Sequence, residues 1–497
     1  MERVLAAASE VPVSSVHIPY GTAGFRCAAT LLPHVCFRVG IAALIRAVRL
    51  QKYTGVMITA SHNPKPDNGV KMIDHTGEMV DEEWEKFTEE FVNAQNFEEV
   101  LTQNWTEGPG EVLVGCDNRP SSPQLVEYMR KGIEAAGGIM HFYGEVTTPQ
   151  LHYFTKMANL THSVPPLNSY VESLVAIAKP LLELGETSLY TNTVYVDASG
   201  GVGGTVLQQL EFENLNLQVV NTDSELLNEE CGAEYAHKTK KLPRNMPLSV
   251  KSASLDGDAD RLVYYKGQED LVVLGGERLT VLYAKALSKL LTSEGVTSKI
   301  QVVTTGYSNG ACLDYLNHCG FDVEIVPTGV KFLHHKAKEF DLSIYFESNG
   351  HGTIYASEKQ KEELQRLGAT NSLNFICLAN DVVGDSIADL LLAEVSLKVL
   401  DWDLETWESI YQDKPYLTIG VTSSMKDSIK NTWNQLSVLE PPSLVEGIER
   451  ALQDFNECNP RVLVRPSGTE PIVRIHVESS NMQACSILAD KIKQLLT

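Results

Sequence analysis

Short apolar runs that end abruptly in polar or glycine-rich loops recur along this chain, and stretches with helical spacing separate them. Residues 56–59, 111–116, 193–198, 249–255, 300–304, 321–326 and 342–346 are such runs. Apolar strands that alternate with helices bury both sheet faces, so the pattern predicts α/β layering. At 497 residues the chain exceeds what one core organises, and about two to four domains are expected. A polar, proline-containing stretch at 162–169 marks a first soft boundary. Another α/β unit spans 278–400, with one long apolar-periodic helix over 372–400, and a last domain follows from residue 402.

Charge narrows the function. A net charge of −23 argues against nucleic acid and anionic membranes as partners, because both need basic patches. A small anionic substrate remains possible wherever a few arginines are concentrated. The nine cysteines are scattered, with no C-x-x-C pair, so zinc and thioredoxin-like chemistry are unsupported. A reduced, cytoplasmic protein is the simpler account. The first residues lack the basic and apolar blocks of a signal peptide, and no apolar run of about 18 residues suggests a membrane span.

Four loops carry candidate chemistry. The run at 56–59 stops at Ala60-Ser61-His62-Asn63-Pro64, which sets one hydroxyl at a stiffened turn beside a histidine. Ser61 is read as a phosphoryl carrier; a structural turn is the bland alternative. No base-and-orienter triad is evident around it. Asp256, Asp258 and Asp260 stand at i, i+2 and i+4 between two apolar strands. An EF-hand is excluded, because Arg261 and Gly267 occupy the places of its glycine and glutamate. Three carboxylates there would repel one another without a cation, and their hard oxygens suit Mg²⁺. Glu347 and Asn349 point to one side of an extended loop and match vicinal hydroxyls. Arg465, Ser467, Gly468 and Thr469, with Arg474 on the following strand, form an anion site.

Other motifs weigh less. Glycines at 200–204 lack dinucleotide-loop spacing and read as a tight strand-to-helix turn. Residues 222–246 read as a polar loop and 357–368 as a loose, charged helix-loop. His334 and His335 point apart on a helix, which favours solvated or substrate-facing side chains over a metal site.

In order, these motifs resemble the α-D-phosphohexomutase family over almost the whole chain. The resemblance rests on YGTAGFR at 20–26, MITASHNP at 57–64, DNGVK at 67–71, TTPQLH at 147–152 and LDGDADRLVYY at 255–265. It continues with TGVKFLHHKA at 328–337, YFESNGHGT at 345–353 and RPSGTE at 465–470. It implies four domains around a central cleft: α/β domains at 1–162, 163–277 and 278–400, and a smaller α+β domain at 401–497. These would carry the phosphoserine, metal, sugar and phosphate loops in that order. Ser61 would be the phosphoserine, and its phosphoryl oxygen with Asp256, Asp258 and Asp260 would hold Mg²⁺. Glu347, Asn349, Gly350 and His351 would read the sugar. Arg465, Pro466, Ser467, Gly468, Thr469 and Arg474 would hold the phosphate that is not transferred. Arg26, His62, Lys331 and Arg261 would line the active centre. The implied reaction interconverts a sugar 6-phosphate and 1-phosphate through a 1,6-bisphosphate. Asn349, where glucose and mannose mutases usually have serine, favours N-acetylglucosamine as the sugar. A glucose or mannose mutase and a catalytically impaired sugar-phosphate binder are the alternatives, and monomer or dimer is open. The chain departs from the family pattern at Cys116, Gly275-Gly276-Glu277, Pro327, Phe332 and Pro471. Cys116, in the place of an arginine, is expected to weaken support of the Ser61 loop.

Overall fold

The computed structural model describes residues 1–21, 24–268, 270–467 and 471–497, with backbone alone at residue 456. The first sheet has six strands, in the order Tyr20–Gly21, Gly24–Ala28, Asp67–Ile73, Thr54–Ile58, Glu111–Cys116, Ile139–Glu145. The last three run parallel and the others antiparallel. Every residue of Thr54–Ile58 is buried, as a central strand covered on both faces requires. Helix Pro33–Leu50 covers one face, and its leading proline sits where no backbone donor is needed. Helix Thr148–Thr161 covers the other and starts with a capping box between Thr147 and Gln150.

The second sheet has five strands, in the order Val273–Leu274, Leu262–Lys266, Lys251–Leu255, Thr193–Asp197, Asn216–Val220. The third has four: Asp322–Val326, Gln301–Thr305, Leu342–Phe346, Gly352–Ala356. A smaller antiparallel sheet, Tyr416–Val421, Val473–Glu478, Arg461–Pro466, closes the chain and packs against helix Met482–Leu496. The fold is thus three layered α/β units and a smaller α+β unit, as the sequence suggests.

Three expectations need correction. The long helix at 372–400 is two helices, Thr370–Leu378 and Ser386–Leu400. The break has a cause: Asp385 caps the second helix, and the Ser386 N–H donates to the Ala259 carbonyl in the aspartate loop at 3.0 Å. The polar stretch 222–246 contains helix Ala233–Thr239, started by Gly232 at φ 91°. Residues 358–367 form a regular helix, capped by the Ser357 side chain and ended by left-handed Gly368.

One apolar core runs through the first three units, joining Met57, Leu113 and Phe154 to Leu255, Phe346 and Leu391. The last unit has a core of its own: Val473, Ile475 and Val477 on one strand face against Leu488 and Ile492. Ile475→Ala should therefore cost about 2–5 kcal/mol within the last unit alone. Amide hydrogen exchange should speed up across Tyr416–Val421 and Val473–Glu478 while Thr54–Ile58 stays protected; a uniform rise would contradict separate cores.

Candidate active site

Ser61 lies directly after its strand in the left-handed region, with φ 53°. Such a backbone costs a non-glycine residue of order 1–3 kcal/mol and persists only where surroundings enforce it. Arg119, fully buried, enforces it. Its guanidinium donates to the carbonyls of Ser61, Asn63, Pro64 and Asp67 at 2.7–2.9 Å, while Nε bonds Asp117 at 2.9 Å. Asn228, from the second unit, donates to the Ser61 and Asn63 carbonyls at 2.9 and 3.1 Å. Support therefore comes from Arg119, and the weakness expected at Cys116 is not seen. Cys116 is a buried strand end whose thiol reaches the Gly144 carbonyl at 3.6 Å.

The strain aims the hydroxyl. Ser61 Oγ donates to Asp256 Oδ2 at 2.7 Å and lies 3.3 Å from His62 Nδ1. His62 Nε2 is 4.0 Å from Glu234, a serine–histidine–glutamate line that the sequence did not reveal. Burial, then the Arg261 charge, push His62 down to about 3, so its imidazole is neutral near pH 7. Arg26 bonds Asn63 Oδ1 at 3.1 Å; burial lowers its pKa, against the pull of Asp258.

Asp256, Asp258 and Asp260 converge, with one oxygen of each within 4.8 Å of the others. All three are buried. Lys71 reaches across from the first sheet and bonds Asp258 Oδ2 at 2.6 Å and Asp260 Oδ2 at 3.2 Å. Thr148 holds Asp258 with Oγ1 at 2.7 Å and its backbone N–H at 3.1 Å. Burial and the neighbouring Asp260 and Asp258 push Asp256 well above the carboxylate range. Burial also opposes ionisation of Asp260, but Lys71, His351 and Arg261 outweigh it and hold that carboxyl well below its usual value. Asp258 Oδ1 and Asp260 Oδ1 are buried with no hydrogen-bond partner among the described residues. Two orphaned, converging carboxylate oxygens beside Asp256 are a donor set that fits a hard divalent cation.

The loop that carries Glu347 and Asn349 follows strand Leu342–Phe346. Asn349 Nδ2 bonds Glu347 Oε2 at 3.3 Å, and Asn349 Oδ1 accepts the His351 N–H at 3.0 Å. His351 Nδ1 lies 3.3 Å from Asp260 Oδ1, which ties this loop to the aspartates. Gly350 sits at φ 87°, and a Cβ there would meet the Leu262 carbonyl at 1.9 Å, so only glycine permits this approach. Arg261 bonds Glu234 at 3.1 Å and lies 3.9 and 3.7 Å from Asp256 and Asp260.

The departure at 275–277 serves the same loop. A Cβ at Gly276 would lie 1.9 Å from the Glu347 carbonyl, and Glu277 accepts the Ser348 hydroxyl at 2.7 Å.

In the last unit, Arg465 and Arg474 face each other across adjacent antiparallel strands. Ser467 is 4% exposed beside them. Gly468 and Thr469 lie outside the described residues, as do Thr22 and Ala23 of the first motif. Pro466 ends the strand that carries Arg465.

Lys331 does not join this group: it pairs with Glu85 and donates to the Val80 carbonyl at 3.2 Å, linking the third unit to the first. His334 is likewise neither solvated nor substrate-facing. It is 3% exposed and bridges Tyr345 at 2.8 Å and Glu78 at 3.1 Å.

Sequence reasoning missed Lys71, Arg119, Thr148, Asn228 and Glu234. Lys71 had a signal, a lysine inside an otherwise buried strand; the others act through contacts of high sequence separation. Arg119→Met should destabilise the protein by about 3–5 kcal/mol, since Asp117 would keep an unpaired buried charge. Chemical denaturation measures this, and a loss under about 1 kcal/mol would show that the clamp is dispensable.

Comparison with known proteins agrees with this geometry. Residues 275–402 match the family described as phosphoacetylglucosamine mutase AMG1, domain III. Residues 39–99 and 84–164 match phosphoglucomutase/phosphomannomutase alpha/beta/alpha domain I, and 436–495 match the C-terminal domain of that group. Phosphoacetylglucosamine mutase of Arabidopsis thaliana is 36% identical over 97% of this chain and 95% of its own. That of Homo sapiens is 35% identical, covering 96% and 93%. The crystal structure of Aspergillus fumigatus N-acetylphosphoglucosamine mutase, in complex with GlcNAc-6P and magnesium, superposes with a TM-score of 0.93 at 31% identity, covering 99% of this chain and 98% of that one. From the buried aspartate triad to the near-complete overlap with these relatives, the chain belongs to the phosphoacetylglucosamine mutases of the α-D-phosphohexomutase superfamily.

Proposed function

We propose that Ser61 is the phosphoryl carrier in an interconversion of N-acetylglucosamine 6-phosphate and N-acetylglucosamine 1-phosphate. The observation that carries the reading is the Ser61 hydroxyl, forced out of ordinary backbone geometry and held 2.7 Å from the aspartate cluster. Phosphorylated Ser61 donates its phosphoryl to the free hydroxyl of the sugar monophosphate: the Ser61 Oγ–P bond breaks as the sugar O–P bond forms, and the proton the hydroxyl loses is balanced by one taken up at the freed Ser61 oxygen. The resulting 1,6-bisphosphate turns over in the cleft and returns its other phosphoryl to Ser61. The product is a sugar 1-phosphate of the kind that nucleotide-sugar synthesis consumes.

Asp256, Asp258 and Asp260 would hold Mg²⁺, which when bound offsets charge on the transferring phosphoryl. Lys71 and Arg261 balance the aspartates from either side. Arg26, beside Asn63, adds a cation next to the Ser61 loop. Glu347 and Asn349 offer acceptors and donors to hydroxyls that both sugar orientations present. Arg465, Arg474 and Ser467 grip the phosphate at rest, which must be either the 6- or the 1-phosphate in turn. The buried site limits water at the phosphoserine. Nine free cysteines support a reducing, cytoplasmic setting, and no helix among the described residues is long and apolar enough to cross a membrane.

Intact mass after incubation with the sugar 1,6-bisphosphate should show one added phosphoryl group, mapped by fragmentation to Ser61 and absent in Ser61→Ala. Phosphate on another residue, or none, would sink the carrier role. Turnover of N-acetylglucosamine 6-phosphate should exceed that of glucose 6-phosphate; equal or faster glucose turnover would contradict the sugar assignment. Asp258→Asn should weaken Mn²⁺ binding at least about tenfold in titration calorimetry, since it removes one anionic donor of three.

A further inference from the structure

Tyr307 belongs to the loop between strand Gln301–Thr305 and helix Gly310–His318 of the third unit, far in sequence from the phosphate loop. Its hydroxyl accepts the Arg465 Nε–H at 2.9 Å, and its ring centroid lies 5.2 Å from the guanidinium carbon. We propose that Tyr307 is a positioning residue that presets the Arg465 guanidinium for phosphate. This deepens the reading above and rests on Arg465 being part of the phosphate anchor.

The tyrosine is itself fixed. Its ring packs edge-on against His476 of the last unit at 5.3 Å, and His476 Nδ1 lies 2.8 Å from the Thr418 hydroxyl. Arg461, also of the last unit, grips the loop on both sides of Tyr307 through the carbonyls of Gly306, at 3.0 Å, and Ser308.

With Nε committed to Tyr307, the guanidinium can turn only about that edge. Its Nη1 side already lies towards the loop, 3.4 Å from the Pro466 carbonyl. A free arginine loses much rotamer freedom when it takes up a phosphate bidentately, and an arginine already held at Nε loses less. The bond crosses from the third unit to the last. The anchor is therefore completed by a residue that its own loop does not contain.

Tyr307→Phe keeps the ring and its contact with His476 but removes the acceptor. Its KM for N-acetylglucosamine 6-phosphate should rise about tenfold with kcat within about twofold, because uniform phosphate binding is lost. Competitive inhibition by inorganic phosphate should weaken by a similar factor, and the unfolding temperature should stay unchanged. Tyr307→Leu, which also removes the ring, should raise KM further. Arg465→Ala is the reference. If it raises KM while Tyr307→Phe leaves KM and phosphate inhibition unchanged, Tyr307 is only a brace between units and the proposal fails. If Tyr307→Phe lowers kcat or stability at unchanged KM, the proposal also fails. If Arg465→Ala itself leaves KM unchanged, the phosphate-loop reading falls, and this inference with it.

Discussion

The strained backbone of Ser61 is the constraint on which the site depends. A left-handed serine relaxes unless its neighbours forbid it, and here the neighbours are four carbonyls tied to one buried guanidinium. Arg119 spends its guanidinium on main chain rather than substrate, so its work is geometric. Because the loop cannot relax, the hydroxyl stays on Asp256, and because Asn228 grips the same carbonyls, the second unit cannot drift from the first.

Charge follows from that geometry. Three buried carboxylates would not stay together at neutral pH unaided. Lys71 takes one oxygen each from Asp258 and Asp260, and Arg261 lies along Asp256 and Asp260. The remaining oxygens of Asp258 and Asp260 accept no hydrogen bond among the described residues, although the His351 ring lies 3.3 Å from that of Asp260. The protein thus neutralises enough of the charge to fold and leaves a donor set that fits a cation. A second polar layer ties in the loop of Glu347 and Asn349: His351 to Asp260, Ser348 to Glu277. The last unit, with its own core, meets the third through directed polar contacts such as Arg461 to the Gly306 carbonyl and Arg465 to Tyr307. Such contacts can re-form after a small rotation more readily than a shared apolar core.

Where sequence reading went astray, a tertiary partner was responsible. Residues 372–400 have enough apolar character for one helix, yet the chain breaks so that Ser386 can meet Ala259. Residues 222–246 look like a polar loop because the helix at Ala233–Thr239 is short and its Glu234 faces Arg261 rather than solvent. His334 and Lys331 look available because charged residues usually are; their carboxylate partners, Glu78 and Glu85, lie some 250 positions away. The departure at Gly275-Gly276-Glu277 becomes intelligible only beside the Glu347 carbonyl it must clear.

Legible in the sequence were the α/β layering, the strands that end in chemistry-bearing loops, and Ser61, the aspartate triplet, Glu347–Asn349 and Arg465–Arg474 as candidate site residues. Those signals are local: a β-branched run, an i, i+2, i+4 spacing, a pair of arginines across a turn. The tertiary structure alone decided which groups hold these loops in register. Arg119, Lys71, Thr148, Asn228 and Tyr307 each act on a residue distant in sequence. Periodicity and propensity do not say which distant residue such a group will meet: even Lys71, marked by its place in a buried strand, gives no sign in its own segment of the aspartates it bonds.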